Sequence, residues 1–158
     1  IAKVQVLAWR AAYRGVLPSD YLDSIDVRER TRVWQALLHQ QQPEGTTLVA
    51  ESGAGVFGFA RASRTRDDDQ DATAVGEVHA IYLLPEAWGL GAGRRLLDAV
   101  LAGLNRKNFR DVTLWVLEEN LRARAFYEAV GWTADGTAKR DVVGGVPVTE
   151  LRYRRVLV

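Results

Sequence analysis

Three glycines alternate with other residues in the stretch PEAWGLGAGRRLLDAV, residues 85–100, at positions Gly89, Gly91 and Gly93. They follow a hydrophobic run and precede an amphipathic segment, so they lie at the start of a predicted helix, where glycine costs stability. The first amides of a helix lack partners within it and carry about half a positive charge. Bare backbone lets an anion approach these amides, so the pattern predicts a phosphate-binding turn. A tight turn needed only for packing is the alternative.

The spacing of these glycines narrows the class of phosphate ligand. A mononucleotide-binding loop has Lys and Ser or Thr after its last glycine, whereas Gly93 is followed by Arg94 and Arg95. The dinucleotide fingerprint G-x-G-x-x-G also differs from the G-x-G-x-G spacing of this chain. The pattern therefore argues against ATP and makes a nicotinamide- or flavin-dependent oxidoreductase a weak alternative.

A second pair of polar residues lies on a predicted helix near the end of the chain. Asn120 and Tyr127 are seven positions apart, about two turns, and therefore project from nearly one helix face. Phe126 and Val130 point elsewhere and are expected in the core. A tyrosine of ordinary pKa, about 10, is protonated at neutral pH and can donate a proton. Asn120 as a helix cap and Tyr127 as a half-buried aromatic are the plainer alternatives.

A third pair, Glu77 and His79, lies on the predicted strand before the glycines. The two residues are two positions apart and share a sheet face, so both could serve acid–base chemistry at one place. An ordinary solvent-facing pair is the alternative. No His, Asp and Glu cluster has metal-ligand spacing, so no metal is predicted. The serines lack a G-x-S-x-G context, which leaves serine acyl-enzyme chemistry without support.

The composition is that of a globular protein without charge bias. The 158 residues predict a single domain, 1–158, with 47% hydrophobic and 26% charged residues. A net charge of +1 gives no reason to expect nucleic acid or an anionic membrane as partner. No apolar run approaches the ~20 residues that cross a bilayer. The absence of cysteine excludes disulfides and thiolate chemistry and agrees with a cytoplasmic location.

Hydrophobic periodicity predicts the elements that position these residues. Helices are predicted at 1–13, at a short turn capped by Ser19 or Asp20, and at 27–40. Pro43 and Gly45 are predicted to stop the third of these helices. Its apolar side is predicted to contain Val33, Trp34, Leu37 and Leu38. Strands follow at 46–52, 55–63 and 75–84, with an exposed acidic loop before the third. A helix, a buried strand at 112–117, a helix at 120–131 and a hairpin turning at 144–145 complete the order. Strands and helices alternate only in the middle, which predicts an α/β fold with a mixed central sheet flanked by helices.

The stretch IYLLPEAWGLGAGRRLL resembles motif A of the GNAT superfamily of acetyl-CoA-dependent N-acetyltransferases. That motif is a strand, a proline and Q/R-x-x-G-x-G/A opening a helix. Gly91 and Gly93 match its glycines, while Trp88 stands where Gln or Arg is usual. WVLEENLRARAFYEAVGW resembles the family's N-x-x-A-x-x-F-Y-x-x-x-G-F helix, and AWRAAYRGVLPSDYLD its first two helices. The family's first strand precedes the opening helix, so the resemblance leads us to expect a further upstream segment.

The resemblance implies that the glycine turn binds the diphosphate of coenzyme A and that acetyl-CoA is the co-substrate. The main-chain amides expected to form this cradle are those of Trp88, Gly89, Leu90, Gly91, Ala92, Gly93 and Arg94. In the family the pantetheine pairs with the preceding strand, here Ile81, Tyr82 and Leu83, and Asn120 is assigned to the same site. Tyr127 is implied as the general acid near the thioester sulfur. Glu77 is implied as the base, and His79 or a water chain are the alternatives.

The acceptor implied by the resemblance is a small-molecule or peptide amine. It is expected between the early helices and the last hairpin, with Tyr13, Tyr21 and His79 as contacts, although the tyrosines could equally be core residues. The expected reaction is direct acetyl transfer to a primary amine in a ternary complex. A non-catalytic acyl-CoA-binding module is the alternative. The last strand could also pair across a homodimer.

Overall fold

The computed structural model describes residues 1–40 and 45–157. The elements come in the predicted order, although Pro43, one of the two residues predicted to end the third helix, lies outside the described residues. The helices are α1 (Ala2–Ala12), α2 (Ser19–Ser24), α3 (Val27–His39), α4 (Ala92–Asn105) and α5 (Leu121–Ala129). The strands are β1 (Thr46–Ser52), β2 (Gly55–Arg64), β3 (Val75–Leu83), β4 (Asp111–Leu117), β5 (Thr133–Val143) and β6 (Val146–Val156). None of the described helices is long and apolar enough to cross a bilayer.

The strands form one mixed sheet in the order β1-β2-β3-β4-β6-β5, which confirms the predicted fold class. Neighbours are antiparallel except β3 and β4, which are parallel. These two strands pair only from Val75 with Asp111 to Glu77 with Thr113. On its other side, β3 has a bulge at His79, because Arg61 pairs with Ala80 and Ala62 with Val78. The sheet therefore opens in its middle, between the later parts of β3 and β4.

Both faces of the sheet are covered, as the neighbouring residues Phe59 and Ala60 on β2 show. Both side chains are fully buried, although successive strand residues point to opposite faces. On one face Ala60 belongs to the core formed with α4 and α5, where Leu97 and Leu104 are fully buried. On the other, Phe59 packs with α1 and α3 and lies edge-on to Trp34, with ring centroids 4.9 Å apart. This second layer brings α1 close to the opening in the sheet.

Helix α3 buries less of its apolar side than the sequence predicts. Trp34 is its buried residue, with Nε1 donating to Gln5 Oε1 at 2.7 Å. Val33 and Leu38 are 43% and 52% exposed. The reason is that α3 packs mainly on α1 and not on the sheet, so only a narrow stripe is covered.

The acidic segment 66–71 is bound to the sheet by one arginine. Arg152 on β6 is 4% exposed and donates to Asp67 at 3.1 Å, to Asp69 at 2.8 Å and to Asp135 at 2.7 Å. Asp67 also accepts from Nε1 of Trp115 on β4 at 3.1 Å. Much of the segment is exposed, as predicted, but its first aspartate positions an aromatic ring beside the sheet opening.

Candidate active site

The turn before α4 adopts a conformation that favours glycine. Gly89 and Gly91 have φ of +75° and +80°, and a Cβ at either would meet nothing within 4 Å. These glycines are therefore needed for backbone conformation, and the space around them is open. Gly91 is the N-cap of α4, no side chain caps the helix, and the amide of Arg95 donates to the Gly91 carbonyl at 3.2 Å. The preceding amides of α4 are left for a ligand.

Trp88 connects this turn to the strand that precedes it. Its Nε1 donates to the carbonyl oxygen of Leu83 at 2.9 Å, at the end of β3. The guanidinium carbon of Arg122 lies 3.8 Å from the centre of the same ring, a cation–π contact. Arg122 and Arg94 both line the cleft described next, so this end of the cleft carries positive charge.

A cleft of about 410 Å³ lies where β3 and β4 separate. Its walls are residues 78–83 of β3, the glycine turn, Trp115 and Val116 of β4, one side of α5, and α1. Beyond Glu77 the edge of β3 that faces β4 has no pairing strand in the described chain, while its other edge pairs with β2 as far as Leu83. An extended ligand can bind such an edge as an added strand.

Helix α5 presents two of the predicted residues to this cleft. Asn120 is its N-cap, with Oδ1 accepting from the Ala123 amide at 3.1 Å, and it also lines the cleft. Tyr127 lies about two turns further along α5, is 8% exposed and also lines the cleft. Burial, and secondarily the nearby Tyr82, raise the pKa of Tyr127 well above its ordinary value. Its hydroxyl therefore keeps its proton at neutral pH.

Glu77 is a buried carboxylate that accepts two hydrogen bonds from Arg66 and lies beside His79. It is 2% exposed, Oε2 accepts from the Arg66 amide at 3.0 Å, and Oε1 accepts from the Arg66 guanidinium at 2.9 Å. Nδ1 of His79 lies 3.0 Å from Oε1, although the ring N–H is not aligned for a regular hydrogen bond. Burial raises the pKa of Glu77, but the interactions with His79 and Arg66 outweigh it and lower the pKa to about 2. Nε2 of His79 lies 2.6 Å from Ser63 Oγ, so both ring nitrogens face a polar group.

A second cavity, of about 220 Å³, adjoins the cleft. Tyr13, Val78, His79, Tyr82 and Trp115 line both. The rest of its wall is formed by Trp9, Leu17, Arg66, Glu77, Leu117, Lys139, Val143 and Glu150. The two spaces thus meet at His79 and the tyrosines, between the early helices and the β5–β6 hairpin.

The structure brings most of the predicted site residues to this place. Those lining the cleft are Ile81, Tyr82, Leu83, Trp88, Gly89, Gly91, Gly93, Arg94, Asn120 and Tyr127, with Tyr13 and His79. Leu90 is 76% exposed, and neither it nor Ala92 lines the cleft, so for both the prediction concerns the backbone amide. Glu77 lines only the second cavity. Tyr21 lines neither and packs against the hairpin turn, where a Cβ at Gly144 would lie 2.5 Å from its Cγ.

Several lining residues were not predicted from the sequence. Phe126 and Val130 are half-buried and pack against the core, as predicted, but they also border the cleft. The predicted turn at 144–145 accounts for the pairing of Lys139 with Glu150, but the sequence contains no signal for where this hairpin and Trp115 lie relative to the cavity. No group of three or more metal-binding side chains occurs among residues 1–40 and 45–157.

Comparison with known proteins identifies the family and the individual proteins to which this chain is similar. The profile of the Acetyltransferase (GNAT) family matches residues 7–132. The uncharacterized N-acetyltransferase YuaI of Bacillus subtilis (strain 168) is 35% identical over 129 residues, 82% of this chain and 70% of the relative. An uncharacterized N-acetyltransferase of Archaeoglobus fulgidus is 31% identical over 116 residues, 73% of this chain and 76% of the relative. The crystal structure of PaiA N-acetyltransferase from Thermoplasma acidophilum in complex with coenzyme A has a TM-score of 0.77 and 19% identity, covering 99% of this chain and 90% of that one. That protein shares the fold described above.

Proposed function

Because the chain belongs to the GNAT family of acetyltransferases and is an acyltransferase, we propose that it transfers acetyl from acetyl-CoA directly to a primary amine while both substrates are bound. The observation that carries this proposal is the junction of two cavities. One ends at the uncapped start of α4, and the other lies between the early helices and the hairpin. His79 lines both, so two ligands would meet beside it.

The cleft fits acetyl-CoA in both its charge and its shape. The amides at residues 88–94 would hold the diphosphate, since Gly89 and Gly91 leave open space there and Arg94 and Arg122 supply positive charge. The pantetheine arm would run along Ile81, Tyr82 and Leu83, where the strand edge lacks a partner strand in the described chain. The coenzyme A in the PaiA structure, which has the same fold, supports this assignment.

Tyr127 is proposed to act when the thioester breaks. The amine nitrogen forms a bond to the acetyl carbon, the carbon–sulfur bond breaks, and the sulfur leaves as a thiolate. The Tyr127 hydroxyl, which burial keeps protonated, donates its proton to that sulfur. Because burial also penalises tyrosinate, the hydroxyl must regain a proton before the next turnover, and the proton that the nitrogen loses as the amide forms balances the one given to sulfur.

The pair of Glu77 and His79 is proposed to receive the proton that the acceptor ammonium must lose. With its pKa lowered to about 2, the Glu77 carboxylate is a weak base, so the proposal assigns the proton to the imidazole. Glu77 Oε1, 3.0 Å from Nδ1, then stabilises the imidazolium. Because the Glu77 side chain is almost inaccessible, the proton is expected to reach the ring through water in the second cavity.

The test combines ligand binding with turnover. Acetyl-CoA should raise the thermal midpoint, whereas NADH and ATP should not, because the turn has neither nucleotide-binding spacing. With a panel of primary amines, free thiol should appear only when acetyl-CoA and a suitable amine are both present. Stabilisation without thiol release from any amine would favour a non-catalytic acyl-CoA-binding module. Stabilisation by a nucleotide but not by acetyl-CoA would refute the proposal entirely.

A further inference from the structure

Two ion pairs line the second cavity, and both have the same polarity. Arg66 and Glu77 lie 2.9 Å apart, with side chains 72% and 2% exposed. Lys139 and Glu150 lie 3.1 Å apart, with side chains 46% and 24% exposed. In each pair the carboxylate is the more buried partner and the cation the more exposed one. Because the more exposed side chains lie nearer to solvent, we take the cations to mark the mouth of the cavity and the carboxylates its inner end.

His79, which lines both cavities, lies 3.0 Å from Glu77, so the inner end of this cavity adjoins the cleft. Burial is the main reason why the pKa values of Tyr13 and Tyr82 are raised, and the nearby carboxylate of Glu150 adds to both shifts. Glu150 lines the second cavity together with Tyr13, Tyr82 and His79, and these three residues also line the cleft. A carboxylate at that point favours an incoming ammonium group.

The outer cation is fixed in place by its neighbours. Nζ of Lys139 lies 4.1 Å from the centre of the Trp115 ring, and Nε1 of Trp115 donates to Asp67 at 3.1 Å. Arg66, at the same mouth, gives its amide and one guanidinium nitrogen to Glu77, and most of its side chain is in solvent. Both cations can therefore accept a further anion.

We propose, on the premise that the protein acetylates amines, that its acceptor is a small zwitterion: a primary amine with an anionic group several bonds away. The ammonium would enter first, toward Glu150 and His79, and the anion would pair with Arg66 and Lys139 at the mouth. A cavity of about 220 Å³ holds a molecule of amino-acid size, and the aromatic rings of Trp9 and Trp115 cover its apolar part.

The acidic segment near this cavity is the argument for a cationic acceptor instead. Its aspartates do not line the cavity. Asp67 and Asp69 bind Arg152, whose side chain is 4% exposed, and Asp135 binds the same guanidinium. The guanidinium offsets one of these negative charges, and solvent screens the exposed remainder.

Three acceptors of equal length distinguish these possibilities: 4-aminobutanoate, 4-aminobutanamide and 1,4-diaminobutane. Their trailing groups are anionic, neutral and cationic, while the reacting amine is the same. We expect kcat/KM, measured by thiol release at low salt, to be about tenfold higher for the anion than for the amide, as two partly exposed charge contacts allow. The cation should be the poorest acceptor, and added salt should narrow the difference.

Substitutions at the mouth assign this preference to a residue. Lys139→Gln should reduce the ratio of kcat/KM between 4-aminobutanoate and the amide several-fold, and Lys139→Arg should retain it. Lys3→Gln, which removes the same charge from an exposed position on α1, should leave the ratio unchanged. Thermal midpoints of all three variants would show that they are folded.

The outcomes separate this inference from the function on which it rests. A preference for the diamine or the amide would overturn the inference and leave acetyl transfer intact. The inference is also overturned, with acetyl transfer intact, if none of the three acceptors reacts and other amines without an anionic group react. If no amine releases thiol, the transferase function fails, and the inference fails with it.

Discussion

The indole Nε1 of Trp88 donates to the carbonyl oxygen of Leu83 at 2.9 Å, joining the glycine turn to the end of β3. The turn would hold the diphosphate of acetyl-CoA and the strand its pantetheine arm, so this bond fixes the two binding regions relative to each other. Arg122 packs on the same ring at 3.8 Å. A tryptophan in the place of the family's usual Gln or Arg thus brings in a cation from α5.

Substitutions of Trp88 should separate these two contributions. Trp88→Phe removes the hydrogen bond and keeps a ring under Arg122, so we expect acetyl-CoA to bind about fivefold more weakly, the loss of one neutral hydrogen bond. Trp88→Ala removes the ring as well and should weaken binding further. Titration calorimetry measures both. Equal affinities for the Phe and Ala variants would contradict a role for the Arg122 contact.

Gly91→Ala tests the anion-binding turn. Forcing alanine to φ of +80° costs about 1–2 kcal/mol, and relaxation of that strain would turn the first amides of α4 away from the ligand. We expect acetyl-CoA affinity to fall at least tenfold. Gly15→Ala is the matched control, with φ of +83° and equally open surroundings outside the cleft. It should lose similar stability and keep its affinity, and if both variants bind equally well the turn does not hold the diphosphate.

Tyr127→Phe tests the proposed proton donor. The variant should bind acetyl-CoA as the parent does and release thiol about a hundredfold more slowly, the usual cost of losing a general acid. Tyr153→Phe is the control, because this ring packs 6.3 Å from Tyr127 but its hydroxyl donates to Glu128 and lies outside the cleft. It should lose stability and not rate. An unchanged rate in Tyr127→Phe would exclude the assignment.

Glu77 should make the free energy of unfolding depend on pH in the acidic range. Its pKa is lowered from 4.5 to about 2, so its contribution is complete above about pH 4.5 and is lost as the pH falls toward 2. Glu77→Gln should therefore unfold more easily than the parent at pH 7, by a few kcal/mol, and the difference should shrink in acid. Urea titrations at several pH values measure this. Glu51→Gln, at an exposed position, should differ little from the parent in free energy of unfolding at every pH. If the difference between Glu77→Gln and the parent did not change with pH, the ion pair would be contradicted.

Periodicity predicted the elements and their order because most are regular and well buried on one side. The apolar run of β4 reflects burial that the local sequence records. The prediction for α3 was less accurate, since four apolar residues in a stripe do not say how wide the contact will be. Val33 and Leu38 remain exposed because the neighbour of α3 is another helix.

The cofactor end of the site was predictable and the acceptor end was not. Gly89, Gly91 and Tyr127 lie on contiguous motifs whose local geometry places them. Glu150 and Lys139 reach the second cavity only because the β5–β6 hairpin lies beside β4, and Arg152 acquires its three carboxylates from distant parts of the chain. The bulge that sets His79 apart from the pairing with β2 likewise has no sequence signal.

The unpaired edge of β3 has a consequence for how freely the protein can mutate. Peptide groups, which every residue carries, would make the contacts along Ile81, Tyr82 and Leu83, so the cofactor limits the choice of side chain there less than the core does, against which Ile81 and Tyr82 pack.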